Sequence, residues 1–299
     1  MWYVADKLFR VLPGETAAMI SDNANEKAFQ AFLFCLALVW PTQNGAEASE
    51  RVVDLELVLA ADISGSMDQE EATLQRVGFV SALRHPDVIA TITRGRLGRI
   101  ALTYVEWAGY QTQRTLVEWR EISDARSANA FADELEKFPV RTAYWTSISN
   151  VIEYASDSFD KSGYTARRRI IDVSGDGPNN SGYYVPWARD RAVSKGIIIN
   201  GLPIINDRLG PYGFTPMPNL DLYYEDCVIG GQGAFVIVAN GFKDFARAIR
   251  RKMILEIAGQ ATPQASLFHL AAERTRQPCN AGETQLRIWR ENRQFDELD

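Results

Sequence analysis

Short apolar runs alternate along most of the chain with segments of helical periodicity. The runs at 52–61, 169–173, 197–205 and 234–238 predict buried strands, and 100–107 with 114–119 predicts two strands of a hairpin. Helical spacing predicts helices at 70–83, 127–138, 147–159, 187–195 and 243–257. Strands alternating with helices indicate a doubly wound α/β fold. We expect a mostly parallel central sheet, helices on both faces and one antiparallel edge strand.

An unbroken apolar stretch near the amino terminus predicts a secretory signal. Residues 28–40 are apolar apart from one Gln, Pro41 follows them, and Ala46-Glu47-Ala48 has the small-residue pattern of a cleavage site. Such a stretch is too short to cross a bilayer as a helix. The segment before it is long for a signal, which a start at Met19 would explain. A buried amphipathic helix is the competing interpretation.

These patterns divide the chain into three parts. Residues 1–48 form the predicted signal-peptide region, 49–259 the α/β domain, and 260–299 a polar C-terminal extension in which periodicity fades. We therefore expect a periplasmic or secreted protein with no stable membrane span after signal cleavage.

Charge and cysteine content narrow the partners and the compartment. The formal net charge is −6 and the chain has no dense basic stripe, so nucleic acid is not an expected partner. Of three cysteines, Cys35 lies in the segment expected to be removed. Cys227 and Cys279 can form a disulfide if the protein is exported, or remain two unpaired apolar side chains.

Oxygen-bearing side chains follow the first predicted strand at regular spacing. Asp62, Ser64 and Ser66 stand at i, i+2 and i+4, on a turn loosened by Gly65. Ligands of open α/β sheets bind at the carboxyl ends of the strands. Carboxylate and hydroxyl oxygens are hard ligands of the kind that Mg²⁺ prefers.

Two further segments place oxygen ligands at the same predicted edge. Asp176 follows the strand 169–173, and Thr146 precedes the helix 147–159. Each residue alone is equally well explained as a helix cap or a turn residue. Together they favour a metal site, because independent caps need not converge on one edge of the sheet.

The three segments, in this order, resemble the metal-ion-dependent adhesion site (MIDAS) of von Willebrand factor A domains, as in integrin I domains. The resemblance implies Mg²⁺, or Mn²⁺ or Ca²⁺, held by Asp62, Ser64, Ser66, Thr146 and Asp176, with Thr142 as the alternative to Thr146. The chain is similar above all to an uncharacterised bacterial family of such domains, domain of unknown function 1194. That likeness rests on the segment 226–236 and on the pair Cys227 and Cys279.

The resemblance implies a binding module in which the cation recognises an Asp or Glu of a partner protein. A metal-assisted phosphohydrolase is a second hypothesis, although Ser64 stands where phosphatases of the haloacid type have a second Asp. A structural protein of the cell envelope, with a metal that only stabilises the fold, is a third.

Overall fold

A computed structural model describes residues 51–210, 215–259 and 276–296, with side chains as far as 291. The predicted signal region, 1–48, lies outside the described residues. The strands are β1 (Arg51–Val53), β2 (Glu56–Asp62), β3 (Ile100–Trp107), β4 (Gln113–Ile122), β5 (Tyr164–Ala166), β6 (Arg169–Gly175), β7 (Ile197–Ile205) and β8 (Ala239–Asn240). The helices are α1 (Gln69–Leu83), α2 (Pro86–Thr93), α3 (Ala125–Glu136), α4 (Ile148–Phe159), α5 (Val185–Ser194), α6 (Leu220–Tyr223), α7 (Phe245–Ala258) and α8 (Ala281–Asp296). A π-helical turn, Tyr224–Val228, continues α6.

The central sheet has six strands in the order β4-β3-β2-β6-β7-β8. Among the described strands, only β3 and β4 pair antiparallel, and β4 is an edge strand. Strand β2 lies between β3 and β6, and all seven of its residues are buried. The order reverses at β2, so the carboxyl ends of β2 and β6 form a crevice of the kind that binds ligands in open α/β sheets. The doubly wound fold with one antiparallel edge strand is confirmed.

Hydrophobic cores cover both faces of the sheet. Alternate residues of β2 serve opposite faces, as the pleat requires: Leu57 and Leu59 belong to one core, and Val58 and Ala60 to the other. The first core includes buried residues of α1, α3 and α7, and the second includes those of α4 and α5.

The predicted strand 52–61 is interrupted. Asp54 lies between β1 and β2 and belongs to neither strand; its carboxylate accepts the backbone N–H of Leu97 at 3.0 and 2.8 Å from its two oxygens. Strand β1 then pairs with β5 in a separate two-stranded sheet, while β2 enters the central sheet. A charged side chain that caps a neighbouring loop therefore separates two strands that the apolar pattern joined.

A buried charge cluster ties α7 to the sheet. The Nζ of Lys252 lies 2.6 Å from a carboxylate oxygen of Asp172 on β6 and 2.6 Å from one of Glu256. Asn200 on β7 donates to the same Glu256 oxygen at 2.8 Å. Burial raises the pKa of Asp172 to about 7, with Lys252 acting against the rise. All four side chains are almost fully buried, so the cluster fixes the position of α7 along β6.

One prediction from periodicity is wrong. Residues 234–238 do not form a strand of the sheet: Val236 makes an isolated bridge to Gly201, and the strand that joins β7 is the later β8. The error arises because a short apolar run does not distinguish a ladder from other buried extended backbone. The C-terminal extension, in which periodicity fades, contains α8. Within the described ranges, no helix combines the length and apolarity needed to cross a membrane.

Candidate metal centre

The loop after β2 folds back on its own aspartate. The backbone N–H of Ser64 donates to Asp62 Oδ1 at 2.7 Å, and the Ser64 hydroxyl donates to Oδ2 at 2.9 Å. The backbone of Asp62 is held by Gln75 of α1, whose side-chain amide donates to the Asp62 carbonyl oxygen at 2.6 Å. Asp62 and Ser64 are buried beneath the turn that brings Ser66 to the surface of the site.

A chain of hydroxyl groups joins the two predicted carboxylate ligands. Ser66 Oγ lies 2.9 Å from Ser64 Oγ and donates to Asp176 Oδ1 at 2.5 Å. Either serine hydroxyl can donate the proton of the contact between them. Hydroxyl and carboxyl oxygens from two separate segments therefore lie close together at one point.

The loop before α4 brings Thr146 to the same place. Ala143 donates its backbone N–H to the Ile63 carbonyl oxygen at 2.7 Å, next to Asp62. The backbone N–H of Thr146 donates to Asn180 Oδ1 at 2.8 Å, which ties this loop to the segment after β6. Thr146 is buried and lines one cavity together with Ser66 and Asp176. Thr142 is exposed and is not part of that lining.

The two acids are buried without a compensating cation. Burial, and then the charge of Asp176, raises the pKa of Asp62 well above its ordinary value. Burial, with the nearby charge of Glu71, raises the pKa of Asp176 to about 7. In the part of the chain that the structure describes, no Lys, Arg or His forms an ion pair with either of them. Arg208, a basic residue that lines the same cavity as Asp176, pairs with Asp68 and Glu71 at 3.3 and 3.5 Å.

A tyrosine hydroxyl beside Asp62 also lacks a partner. Tyr224 Oη is buried and makes no hydrogen bond with any residue that the structure describes. It lies close to Asp62 because a Cβ on Gly175 would meet Asp62 Oδ2 at 2.8 Å and Tyr224 Oη at 2.9 Å. Burial and the charge of Asp62 raise the pKa of Tyr224. Only glycine fits between the two groups, so the Gly175 position allows β6 to approach Asp62 closely.

The donors present fit a hard divalent cation. They are two carboxylates and three hydroxyl-bearing side chains, and Mg²⁺ takes oxygen ligands with few carboxylates while keeping several waters. A cation here would relieve both the unpaired negative charge and the crowded oxygens. Among described residues no cluster of three or more His, Cys, Asp or Glu side chains is placed to hold a metal. The candidate site differs from such a cluster because three of its five side chains contribute hydroxyl oxygens.

A cavity of about 370 Å³ opens above these ligands. Its floor includes Ser66, Thr146 and Asp176, and its walls are largely apolar. The apolar wall residues are Trp145, Pro178, Pro216, Met217, Leu286 and Trp289. No sequence pattern assigns Leu286 or Trp289 to the site, because they lie in α8, more than a hundred residues after Asp176.

Trp145, which lines the cavity, has an unusual backbone conformation. Its φ is 68°, the left-handed region that bulky residues rarely adopt. The preceding carbonyl, of Tyr144, accepts the backbone N–H of Gly109 at 3.1 Å. Strain of this kind costs on the order of 1–3 kcal/mol and tends to occur at functional sites. Trp145 contributes to the lining of the cavity that also includes Ser66 and Asp176.

A disulfide and close packing attach the beginning of α8 to the domain. Cys227 and Cys279 form a disulfide, with their Cα atoms 5.4 Å apart. Gly282 packs so tightly against Asn179 that a Cβ there would lie 2.0 Å from the Asn179 carbonyl oxygen. Asn179 also donates its side-chain amide to Glu283 at 2.7 Å. The segment after Asp176 and the C-terminal helix are therefore joined directly.

Comparisons with known proteins agree with this architecture. The family model described as "Protein of unknown function (DUF1194)" matches residues 52–261. No curated protein sequence matches the chain significantly. The structure is similar to proximal thread matrix protein 1 from the mussel byssus, at 15% identity and a TM-score of 0.51, over 70% of this chain and 49% of that one.

Two further solved structures are similar. The pilus adhesin SpaC from Lactobacillus rhamnosus GG matches at 12% identity and a TM-score of 0.51, over 69% of this chain and 30% of that one. A von Willebrand factor type A protein from Catenulispora acidiphila matches at 16% identity and a TM-score of 0.48, over 69% and 43%. The chain thus spans half or less of the length of these proteins. The predicted similarity to domain of unknown function 1194 is confirmed.

Proposed function

Because the chain belongs to the family described as "Protein of unknown function (DUF1194)" and has a von Willebrand factor A-type fold, we propose that it is an exported, cation-dependent protein-binding module. Mg²⁺ is the expected ion, with Mn²⁺ or Ca²⁺ as substitutes. Asp62, Ser64, Ser66, Thr146 and Asp176 hold it, directly or through water. An Asp or Glu of a partner protein completes the coordination.

One observation carries the proposal. Asp62 and Asp176 are buried, are joined through the two serine hydroxyls, and have no ion-paired cation among the residues described. Buried charge without a partner is costly unless a metal or a proton neutralises it. A divalent cation at this point supplies the missing positive charge. The acids at the start of α1 do not compete for it, because Asp68 and Glu71 cap that helix and pair with Arg208.

Three further observations support a binding role and export. SpaC is a pilus adhesin, and the mussel byssus protein has a structure with a zinc-occupied MIDAS motif. The disulfide between Cys227 and Cys279 suits an oxidising compartment. Periplasm and external medium both provide one.

Cation titration by calorimetry tests the metal site. We expect Mg²⁺ and Mn²⁺ to bind the wild-type protein at one site and to bind Asp62→Ala at least about tenfold more weakly, a difference of about 1.4 kcal/mol. Asp160→Asn is a matched control, because Asp160 is an exposed acid at the C-terminal end of α4. Equal cation binding by Asp62→Ala and wild type would refute the site.

Affinity capture from a cell-envelope fraction then tests the partner. We expect a protein to be retained by the wild type in Mg²⁺, to be released by chelator, and not to be retained by Asp62→Ala. Retention that persists in chelator would show that binding does not pass through the cation. A purely structural metal would stabilise the wild type but give no cation-dependent capture.

A further inference from the structure

Helix α8 lies beyond the segment that the family model matches, which ends at residue 261, yet it forms a wall of the cavity above the metal centre. Leu286 is buried in that wall, and Trp289 is half-buried beside it. Trp145 is part of the lining that the loop before α4 contributes. The Arg290 guanidinium lies 5.2 Å from the centre of the Trp145 ring, so the helix and the loop meet above the floor.

The wall is fixed rather than loosely placed. The disulfide at Cys279 precedes the helix by two residues, and the contact between Gly282 and Asn179 allows no larger side chain. One turn later, the Gln285 side-chain amide donates to the Thr215 carbonyl oxygen at 2.7 Å. A partner must therefore enter past a helix that several independent contacts hold in place.

From this arrangement, and resting on the proposed function, we propose that α8 and Trp145 form a specificity pocket for a bulky apolar side chain next to the acidic residue of an extended peptide segment. The acid reaches the cation at the floor, and the apolar neighbour packs against Leu286 and Trp289. The class of partner is an exposed, flexible protein segment in which an Asp or Glu is flanked by a large aliphatic or aromatic residue.

Two features favour an extended segment over a broad folded surface. A surface acid on a folded partner would have to bring its surroundings past α8, whereas a single strand of backbone needs only the width of the cavity. The volume, about 370 Å³, lies at the lower end of the range of roughly 300–1,000 Å³ for small-ligand pockets. It has room for an acidic residue with a neighbouring side chain and not for a secondary-structure element, whose diameter with side chains is about 10–12 Å for a helix.

The chemistry of the lining separates two tasks. Charge attraction to the cation recognises the acid. The apolar walls strengthen the binding of a neighbouring hydrophobic side chain because they remove its surface from water. A peptide with an acid alone should bind through the cation only. A peptide with both features should bind more tightly, and the difference should depend on α8.

Two capped synthetic peptides measure that difference. One has the sequence Gly-Gly-Asp-Gly-Gly and the other Gly-Leu-Asp-Leu-Gly, so the second places Leu on both sides of the same acid. In Mg²⁺, followed by intrinsic tryptophan fluorescence, we expect the Leu-flanked peptide to bind at least about tenfold more tightly, the effect of about 1.4 kcal/mol. In Leu286→Ala and in Trp145→Ala, which reach the pocket from the helix and from the loop, this preference should fall to about twofold or less.

The matched control is Ile288→Ala, because Ile288 is an exposed residue of α8 that is not part of this cavity's lining. It should keep the full preference. Leu286→Met, which preserves volume, should keep most of it and shows that α8 remains in place. Equal binding of both peptides by the wild type, with Mg²⁺ bound, would overturn the pocket while the proposed function remains.

Two other outcomes are informative. If Mg²⁺ itself gives no titration signal and neither peptide binds, the proposed function fails. If 4-methylpentanoate, a free carboxylate with a branched aliphatic body, binds as tightly as the Leu-flanked peptide, the pocket belongs to a small organic acid and the assignment to a peptide is wrong.

Discussion

Replacing Asp176 by Asn should stabilise the cation-free protein and abolish its response to Mg²⁺. The side chains are nearly the same size, and the amide oxygen can still accept the hydrogen bond that Ser66 donates at 2.5 Å. The substitution removes one of two buried acids that have no ion-paired cation in the described part of the chain. A substitution that stabilises the cation-free protein at this site should therefore weaken the binding of the cation.

The expected gain follows from the pKa. Burial first, and then the charge of Glu71, raises the pKa of Asp176 from 3.8 to about 7. That difference is about 3 pH units, so keeping this side chain charged above neutral pH costs at most about 4 kcal/mol. Burying the amide that replaces the carboxylate costs about 1–3 kcal/mol, which reduces the stabilisation of the variant by that amount. We expect Asp176→Asn in chelator to be more stable than wild type by roughly 2 kcal/mol at about pH 8.

The sign of the pH dependence is a separate check. Because the folded-state pKa is raised, the folded wild type holds a proton that the unfolded chain has released. Wild-type stability without cation should therefore fall as pH rises from about 4 to about 7 and then level off. Below about pH 4 Asp176→Asn should be less stable than wild type by the amide cost of about 1–3 kcal/mol. Its advantage should be complete only above about pH 7.

Urea unfolding with and without Mg²⁺ measures both effects. At a free Mg²⁺ concentration about 100 times the Kd, the wild type should gain about 2.7 kcal/mol, while Asp176→Asn should gain much less. The order of stability should therefore reverse between chelator and Mg²⁺. If the variant is the less stable protein in chelator, or if Mg²⁺ stabilises both equally, the two acids do not form a cation site.

Other substitutions test the buried contacts and the C-terminal helix. Lys252→Met should destabilise the protein by about 3–5 kcal/mol in urea unfolding, because it leaves Asp172 buried without its cation; a loss below about 1 kcal/mol, the size expected for an exposed basic residue of the same helix, would contradict this. Cys279→Ser should lower the free energy of unfolding by up to about 4 kcal/mol on the chain-entropy model, since the disulfide joins residues 52 apart, and an unchanged urea midpoint would show that the bond contributes little. Gly282→Ala should speed hydrogen exchange in α8 with little change in Mg²⁺ affinity, because its Cβ would lie 2.0 Å from the Asn179 carbonyl oxygen; unchanged exchange would show that the contact does not hold the helix.

The convergence of the candidate ligands could be predicted because strand ends carry positional information. Asp62 and Asp176 stand at the ends of two apolar runs, and neighbouring parallel strands bring such ends to one edge. Thr146 is at the same edge because its loop is bonded to the ends of β2 and β3, through Ile63 and Ala108. Because neighbouring parallel strands end at the same edge of a sheet, the local pattern of an apolar run followed by an acid was enough to predict that these side chains lie close together.

The cavity above the ligands could not be predicted in the same way. Its α8 wall depends on a disulfide and on a close glycine contact, and neither has a periodic signature. Residues 281–296 are mostly polar, with Leu286 as the buried hydrophobic residue among the side chains described there. The strained Trp145 is likewise set by its loop and by Gly109, not by any propensity of tryptophan. Contacts between segments distant in sequence decided both features.

The buried Lys252 has a mechanical consequence for the last helix of the domain. Glu256 travels with Lys252 on α7, whereas Asp172 belongs to β6, the strand that leads to Asp176. Moving α7 along its axis by one turn, about 5.4 Å, would leave a carboxylate unpaired in the protein interior at a cost of several kcal/mol. Helix α7 therefore has discrete stable positions instead of a continuous range. Any displacement of α7 must move it from one such position to another and form new pairs between these charges.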